Sequence, residues 1–400
     1  MEVFSPVEES KTITSWGAGV KSSQTWIKQL KDLKLETPFT VLDTEVAKYN
    51  TQHLNKLLPD VDLYYAIKSN SDPRLISAIR DQVKGFEVAS RGELALLRSL
   101  GIESKQILFS NPVKVPSHLS FARREGVQNY AFDSSDEIEK ISRHVPGANV
   151  YLRIKVTDIG SRFPLSKKFG IDPGQAVDFI KSATVAGLHP VGLAFHVGSQ
   201  SERPESWKAA FKTAGMLIGE LSTKHKIFLS LLNIGGGFPG PCEYKPVDIT
   251  PITRVIERSI EQYIPDYIHI VAEPGRYISA TSCVIVTEII GRETRGEEEW
   301  LFLDMGVFQG LMEPLEMPSW RYPIFTEYDD VSGQKRPFVL TGPTCDAYDT
   351  IGFNYILPDR LKTGDRLYIG ATGAYTDVYK TGFNGFDPPK IFYINEEIRA

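Results

Sequence analysis

Eight short apolar, β-branched or aromatic runs recur through the middle of the chain, at 63–68, 86–90, 107–111, 130–133, 150–153, 192–199, 231–237 and 268–275, each closing on a polar, charged or glycine residue. About 15 to 40 residues separate successive runs, enough for a helix to cross back over a sheet, as parallel strands require. Residues 91–100 and 207–224 carry the helical period. Eight strand–helix repeats within about 210 residues match an α/β fold, a (β/α)8 TIM-like barrel, whose active site forms at the C-terminal strand ends. Those ends read Lys68, Glu87, Asn111, Asp133, Arg153, His196, the glycines Gly235, Gly236 and Gly237, and Glu273. A doubly wound open sheet would alternate in the same way, but it seldom sets reactive side chains at nearly every strand end.

After Arg276 the pattern changes to short strands at 283–290, 300–305, 337–340, 366–369 and 390–394, separated by Gly, Pro and Asp turns. This reads as an all-β C-terminal domain. The expected organisation is an N-terminal segment, 1–36, free to pack on the β domain; a barrel domain, 37–276; and the β domain, 277–400. An amphipathic stretch, 24–33, lies in the first segment, and 39–42 reads as an extra strand ahead of the barrel.

Hydrophobic residues make up 42% and charged residues 24%, which excludes a disordered or fibrous chain. A formal net charge of -5 argues against a nucleic-acid surface. Residues 1–17 lack a basic start and apolar stretch, and no run approaches a membrane span, so neither a secretory signal nor a membrane partner is expected. Cys242, Cys283 and Cys345 form no CxxC pair, which points away from a disulfide scaffold or a metal site and toward a reducing, cytoplasmic setting.

Single residues leave their roles open. Lys68, ending an apolar run, either reaches water or is desolvated enough to offer a neutral amine for a Schiff base. The bare amides of Gly235, Gly236 and Gly237 suit a tight turn or an anion nest. His196 is either a satisfied core histidine or a flat ring that stacks on an aromatic cofactor. Glu273 either pairs with Arg276 or keeps a pyridine nitrogen protonated. Cys345 is either an apolar filler or a proton donor. Together an amine, an anion nest, a ring, a carboxylate and an acid suit pyridoxal 5′-phosphate (PLP).

The strings YAIKSN (65–70), FHVGSQ (195–200), NIGGGF (233–238), EPGR (273–276), GPTCD (342–346), GAYT (373–376) and FNGF (383–386) occur in one order. In them the chain resembles the fold type III PLP-dependent decarboxylases, the ornithine/lysine/diaminopimelate group, and GPTCD with FNGF resembles the ornithine/lysine branch. The resemblance implies an alanine racemase-like barrel plus β domain. It makes Lys68 the Schiff-base lysine, His196 the stacked ring and Glu273 the partner of the pyridine nitrogen. It gives the phosphate to Ser199, Gly235, Gly236, Gly237, Gly275, Arg276 and Tyr375, and sets Arg153 near the cofactor. It further implies a homodimer in which Cys345 and Asp346 act in the neighbouring subunit's site, with Phe383 close by.

The implied reaction removes the α-carboxylate of a basic amino acid as CO2. Asp346 and Glu316 are the candidates for the substrate's distal ammonium, since a buried ammonium needs an anionic partner. Two departures from the family pattern stand out: Glu87 occupies a position where aspartate is usual, close to the Schiff base, and the region of Glu313 and Glu316 carries glutamate. Diaminopimelate decarboxylase, with Arg321 or Arg336 as cationic partners, is an alternative reading, as are a racemase on the same architecture and a non-catalytic regulatory homologue.

Overall fold

A computed structural model describes residues 11–12, 23–241, 247–329 and 332–398. Cys242 and, apart from Lys11 and Thr12, the opening segment read above for a leader lie outside the described residues. Two compact units emerge: one holds the described residues up to 50 with 240–241 and 278–398, the other residues 51–239 and 247–277. The strands used below are, in chain order, Phe39–Leu42 (β1), Asp62–Ala66 (β2), Gly85–Val88 (β3), Ile107–Phe109 (β4), Asn129–Phe132 (β5), Asn149–Arg153 (β6), His189–Ala194 (β7), Leu231–Asn233 (β8), His269–Ala272 (β9), Cys283–Arg295 (β10), Glu298–Leu303 (β11), Ile324–Thr326 (β12), Lys335–Thr341 (β13), Thr350–Pro358 (β14), Arg366–Ile369 (β15) and Lys390–Tyr393 (β16).

In the second unit β2 to β9 pair in parallel, each with the next in sequence, and β9 closes on β2 through Val271 opposite Asp62. This is the eight-stranded barrel expected from the repeat. Its strands are covered on both faces, which is why β3 and β4 are buried throughout and β4 reads as an unbroken apolar run, while β3 is interrupted only by the buried Glu87. Helix starts are locked to strand ends by short caps. Asp72 accepts the N–H groups of Arg74 and Leu75 at the start of Pro73–Ile79, Ser90 accepts Glu93 N–H at the start of Arg91–Ser99, and Ser134 accepts Glu137 N–H at the start of Ser135–His144. Each such cap contributes about 1 kcal/mol and fixes where the chain turns at the active-site end of the barrel.

The run at 192–199 is not one strand. β7 stops at Ala194, and Ser199–Ser201 pairs instead with Ser161–Phe163 in a separate antiparallel ribbon. The break comes from Gly198, whose φ of +87° turns the chain, and from His196 Nδ1, which accepts Gly198 N–H at 3.0 Å.

The first unit is built on a mixed sheet ordered β12-β15-β10-β11-β13-β14. β1 joins it, antiparallel to Cys283–Val286 of β10 and parallel to β16. The strand read ahead of the barrel therefore belongs to this sheet, and the division between the two compact units falls at 50, inside the helix Thr44–Leu57. The helix Ser23–Leu30 buries Trp26, Ile27 and Leu30 in the same core as Phe39, Val284, Val286 and Tyr368, with Trp26 edge-on to Phe325 at 5.2 Å. β12 and β14 were not expected. β12 has three residues, and β14 loses strict alternation at Gly352 and at Asn354, whose φ is +60°. Among the described residues no helix is long and apolar enough to cross a membrane.

Candidate active site

Past the end of β2 the chain makes one 3-10 turn, Ile67–Ser69, in which Ile67 and Ser69 are buried and Lys68 points outward. Lys68 Nζ lies 2.6 Å from Glu87 Oε2 on β3. The lysine side chain is 43% exposed and that of Glu87 1%, so a buried carboxylate balances an amine that remains accessible at the strand ends. Glu93, one turn into the next helix, reaches back to Ala89 N–H at 2.5 Å while Ser90 caps its own N–H. Burial, and then repulsion from Glu87, raise its carboxyl above the usual range. Glu93 was not singled out in the sequence, although the Ser-x-x-Glu spacing marks a helix start; its carboxylate reaches Ala89 N–H, one residue ahead of the Ser90 cap.

On the strand that closes the barrel beside β2, Glu273 follows β9. Its Oε1 accepts from Asn233 Nδ2 at 2.6 Å and from Ser110 Oγ, and Ser110 Oγ in turn lies 2.6 Å from the Tyr151 hydroxyl. Asn233 is oriented by its other end, since its Oδ1 accepts Gly235 N–H at 2.9 Å. Burial and the charge of Glu87 raise the Glu273 carboxyl, opposed by Lys68 and by the Ser110 and Asn233 donors. Ser110, Tyr151 and Asn233 are site residues that sequence reasoning missed; only the place of Asn233 inside NIGGGF marked any of them.

His196 sits in the turn after β7. Burial, followed by the positive charges of Arg153 and Lys68, holds its imidazole well below the usual value, so the ring is neutral. With Nδ1 accepting from Gly198, the ring proton belongs on Nε2. Arg153, at the end of β6, lies over the Phe169 ring at 4.9 Å, and burial lowers its pKa.

The glycines pack this end of the barrel closely. A Cβ on Gly236 would stand 2.7 Å from Glu273 O and 3.2 Å from His196 Nε2, and one on Gly275 would stand 3.0 Å from Ser69 Cβ. Gly235 and Gly237 have φ of +67° and +104°, so the turn after β8 needs glycine for conformation as well as space. Arg276, buried, lies over Phe163 at 5.3 Å, and Phe163 is the register partner of Ser199. Lys68, Glu87, Arg153, His196, Ser199, Gly235, Gly236, Gly237, Glu273, Gly275 and Arg276 thus all lie in the barrel unit at or just past the strand ends.

Five predicted residues belong to the β-rich unit instead. Cys345 is exposed, and both its N–H and its thiol lie 3.2 Å from Asn384 Oδ1, which ties the GPTCD loop to the FNGF turn. The buried Asp349 carboxylate anchors that loop by accepting Val307 N–H at 2.7 Å and Thr344 N–H at 2.9 Å. Asp346 accepts Tyr348 N–H, and Phe383 packs on Phe308 at 4.6 Å. Tyr375, at φ +55°, stacks with Tyr379. In the short helix Glu313–Glu316, Glu313 is buried and Glu316 is exposed.

The donor set of the barrel end fits PLP. An accessible amine, a neutral imidazole, a carboxylate held by two donors and a glycine turn that admits a ligand against the backbone are the groups its aldehyde, ring, pyridine nitrogen and phosphate require. Residues 45–280 match the family described as pyridoxal-dependent decarboxylase, pyridoxal binding domain. The chain is 36% identical over 362 residues to the lysine/ornithine decarboxylase of Selenomonas ruminantium, covering 90% of each. It superposes on SrLDC, solved in complex with PLP and cadaverine, with a TM-score of 0.84 and 34% identity over 93% of this chain and 94% of that one. On the arginine decarboxylase of Paramecium bursaria Chlorella virus the TM-score is 0.86, at 29% identity over 93% of this chain and 100% of that one. A PLP-using barrel with a β domain, matched in sequence over most of its length, belongs to the pyridoxal-dependent decarboxylases, in their ornithine/lysine branch.

Proposed function

We propose that this enzyme removes the α-carboxylate of a basic L-amino acid, of the lysine, ornithine or arginine kind, to give a polyamine-type amine and CO2. The observation that carries the reading is the convergence on one barrel end of Lys68 with its buried partner Glu87, Glu273 with its fixed donors, and the neutral His196. When bound, PLP supplies a protonated pyridine that accepts the electron pair left as CO2 departs. Lys68 is the residue that would hold the cofactor through its Nζ, which Glu87 steadies at 2.6 Å. Glu273 would keep the proton on the pyridine nitrogen, and the uncharged His196 would lie against the ring without opposing that charge. Ser199, Gly235, Gly236, Gly237, Gly275, Arg276 and Tyr375 would hold the phosphate, with Arg153 nearby. Cys345 would return a proton to the α-carbon, a role supported by its exposed, free thiol. Asp346 is favoured over Glu316 for the distal ammonium because it adjoins Cys345 in sequence.

Diaminopimelate is disfavoured by the arginines it would need. Arg336 is engaged by Glu299 and Asp359, and Arg321 donates to the carbonyls of Pro318 and Trp320. A panel of lysine, ornithine, arginine and diaminopimelate with added PLP should release CO2 from at least one of the first three. Release from diaminopimelate alone would reverse the assignment.

The working form proposed is a cytoplasmic homodimer with shared sites. Tyr348, Phe353, Tyr379, Phe383 and Phe386 of the β-rich unit are large and exposed, a residue type enriched at subunit interfaces. Mixing inactive Lys68→Ala and Cys345→Ala proteins tests this. If both residues serve one site from different subunits, random exchange makes half the dimers mixed, each with one intact site, and activity returns to about a quarter of wild type. Mixtures that stay inactive under exchange would place both residues on one subunit.

A further inference from the structure

Tyr151 is fully buried inside the barrel, where Ala131 and Ala194 on the flanking strands leave room for its ring. A phenylalanine would fill that space equally well, and a buried hydroxyl is costly unless hydrogen-bonded. The Tyr151 hydroxyl meets Ser110 Oγ at 2.6 Å, and Ser110 Oγ meets Glu273 Oε1. When Glu273 is ionised its oxygens can only accept, so Ser110, which has a single proton, donates to Glu273 and Tyr151 donates to Ser110. Burial and the charge of Glu273 raise the phenol well above its ordinary value, so it remains a donor throughout the working range. Asn233, with its amide orientation set by Gly235, adds a second donor to the same oxygen.

We propose that Tyr151 and Ser110 form a one-way hydrogen-bond relay, running from β6 through the residue after β4 to the residue after β9, that positions Glu273 and stabilises it as a carboxylate, so that the proton it shares with the cofactor's pyridine stays on the nitrogen. This rests on the functional reading above and assigns two positioning residues to it. The charged and titratable groups that share this field are Glu87 on β3, Lys68 after β2, Arg153 on β6 and Tyr64 on β2. Of these Glu87 opposes the carboxylate form and Lys68 favours it, so without the relay the balance moves toward a protonated Glu273. The loop bearing Ser110 is itself braced: Lys114 Nζ, buried, donates to Asn111 O at 2.8 Å and to Ala131 O at 2.5 Å, and pairs with Glu137 at 3.0 Å.

The test is the titration of Glu273 in cofactor-free protein labelled with 13C at glutamate Cδ and assigned with Glu273→Gln. Ser110→Ala should raise its midpoint by about one unit or more, since a hydrogen bond to a charged group is lost. Tyr151→Phe, which keeps the ring and its packing, should shift it in the same direction by less, and Ser110→Thr should restore the wild-type value. In the holoenzyme loaded with 15N-PLP, the pyridine nitrogen resonance of Ser110→Ala should move toward the neutral-pyridine position. Its kcat should fall about tenfold with KM little changed, matching a one-unit shift. If Ser110→Ala does not fold, Tyr151→Phe decides alone. An unshifted Glu273 midpoint in the folded variant overturns the relay. Failure to bind PLP would overturn the functional reading, and the cofactor-free titration would still decide the relay.

Discussion

Lys68→Ala loses the Schiff-base absorbance of bound PLP, and its decarboxylase rate falls about 10^3-fold or more, because the only amine held at the end of β2 is also the group that must exchange with substrate. The same change strands Glu87, which is 1% exposed and bonded to Nζ at 2.6 Å. Breaking a buried pair on one side is destabilising, but the ammonium is partly in water, so the cost discounts to about 1 to 2 kcal/mol. Lys68→Arg separates the two effects. Its guanidinium keeps Glu87 paired, so the melting temperature should stay near wild type while absorbance and activity are lost. Full absorbance in either variant would show that another lysine carries the cofactor.

Glu273→Gln should leave the absorbance in place and lower kcat by about 10^2 to 10^3, or about 3 to 4 kcal/mol of barrel-end electrostatics. The amide oxygen can still accept from Ser110 and Asn233, so orientation is kept, but the amide donates to the pyridine nitrogen instead of leaving a proton on it. The stability effect has the opposite sign. Glu273 has a raised folded-state pKa, caused by burial and Glu87, so ionising it disfavours the cofactor-free fold. That penalty is fully present above the raised value and is relieved as pH falls through it toward the ordinary carboxylate range. Cofactor-free Glu273→Gln should therefore melt no lower than wild type at neutral pH and should lack this acid-side gain. A Gln variant with wild-type kcat would remove the pyridine role from Glu273.

The barrel is legible because its strands are local, mostly apolar and covered on both sides, so each appears as a short apolar run, and because the strand ends are where polarity returns. Lys68, His196 and Glu273 are found for that reason. Ser110 and Tyr151 are not, because what defines them is a hydrogen bond across the interior, between residues 163 and 41 positions apart, with no periodic trace in the chain. Residue 151 is one more aromatic in a buried strand until its hydroxyl is seen to have a partner. The β-rich unit is less legible for a related reason. β14 breaks alternation, and β1 reads as a neighbour of the barrel because it precedes it, although its hydrogen bonds go to β10 and β16.

That placement of β1 has a consequence for synthesis. Leu42 pairs with Cys283 and Phe39 with Lys390, so the first strand of the sheet leaves the ribosome long before either partner exists. At cellular elongation rates it waits roughly 20 to 70 s for its neighbour in β16. The barrel strands, each pairing with the next in sequence, are complete well before then. During that interval an apolar strand, Phe39–Leu42, and the helix face of Trp26, Ile27 and Leu30 have no sheet to cover them, the kind of transiently exposed apolar surface that invites aggregation before folding is complete.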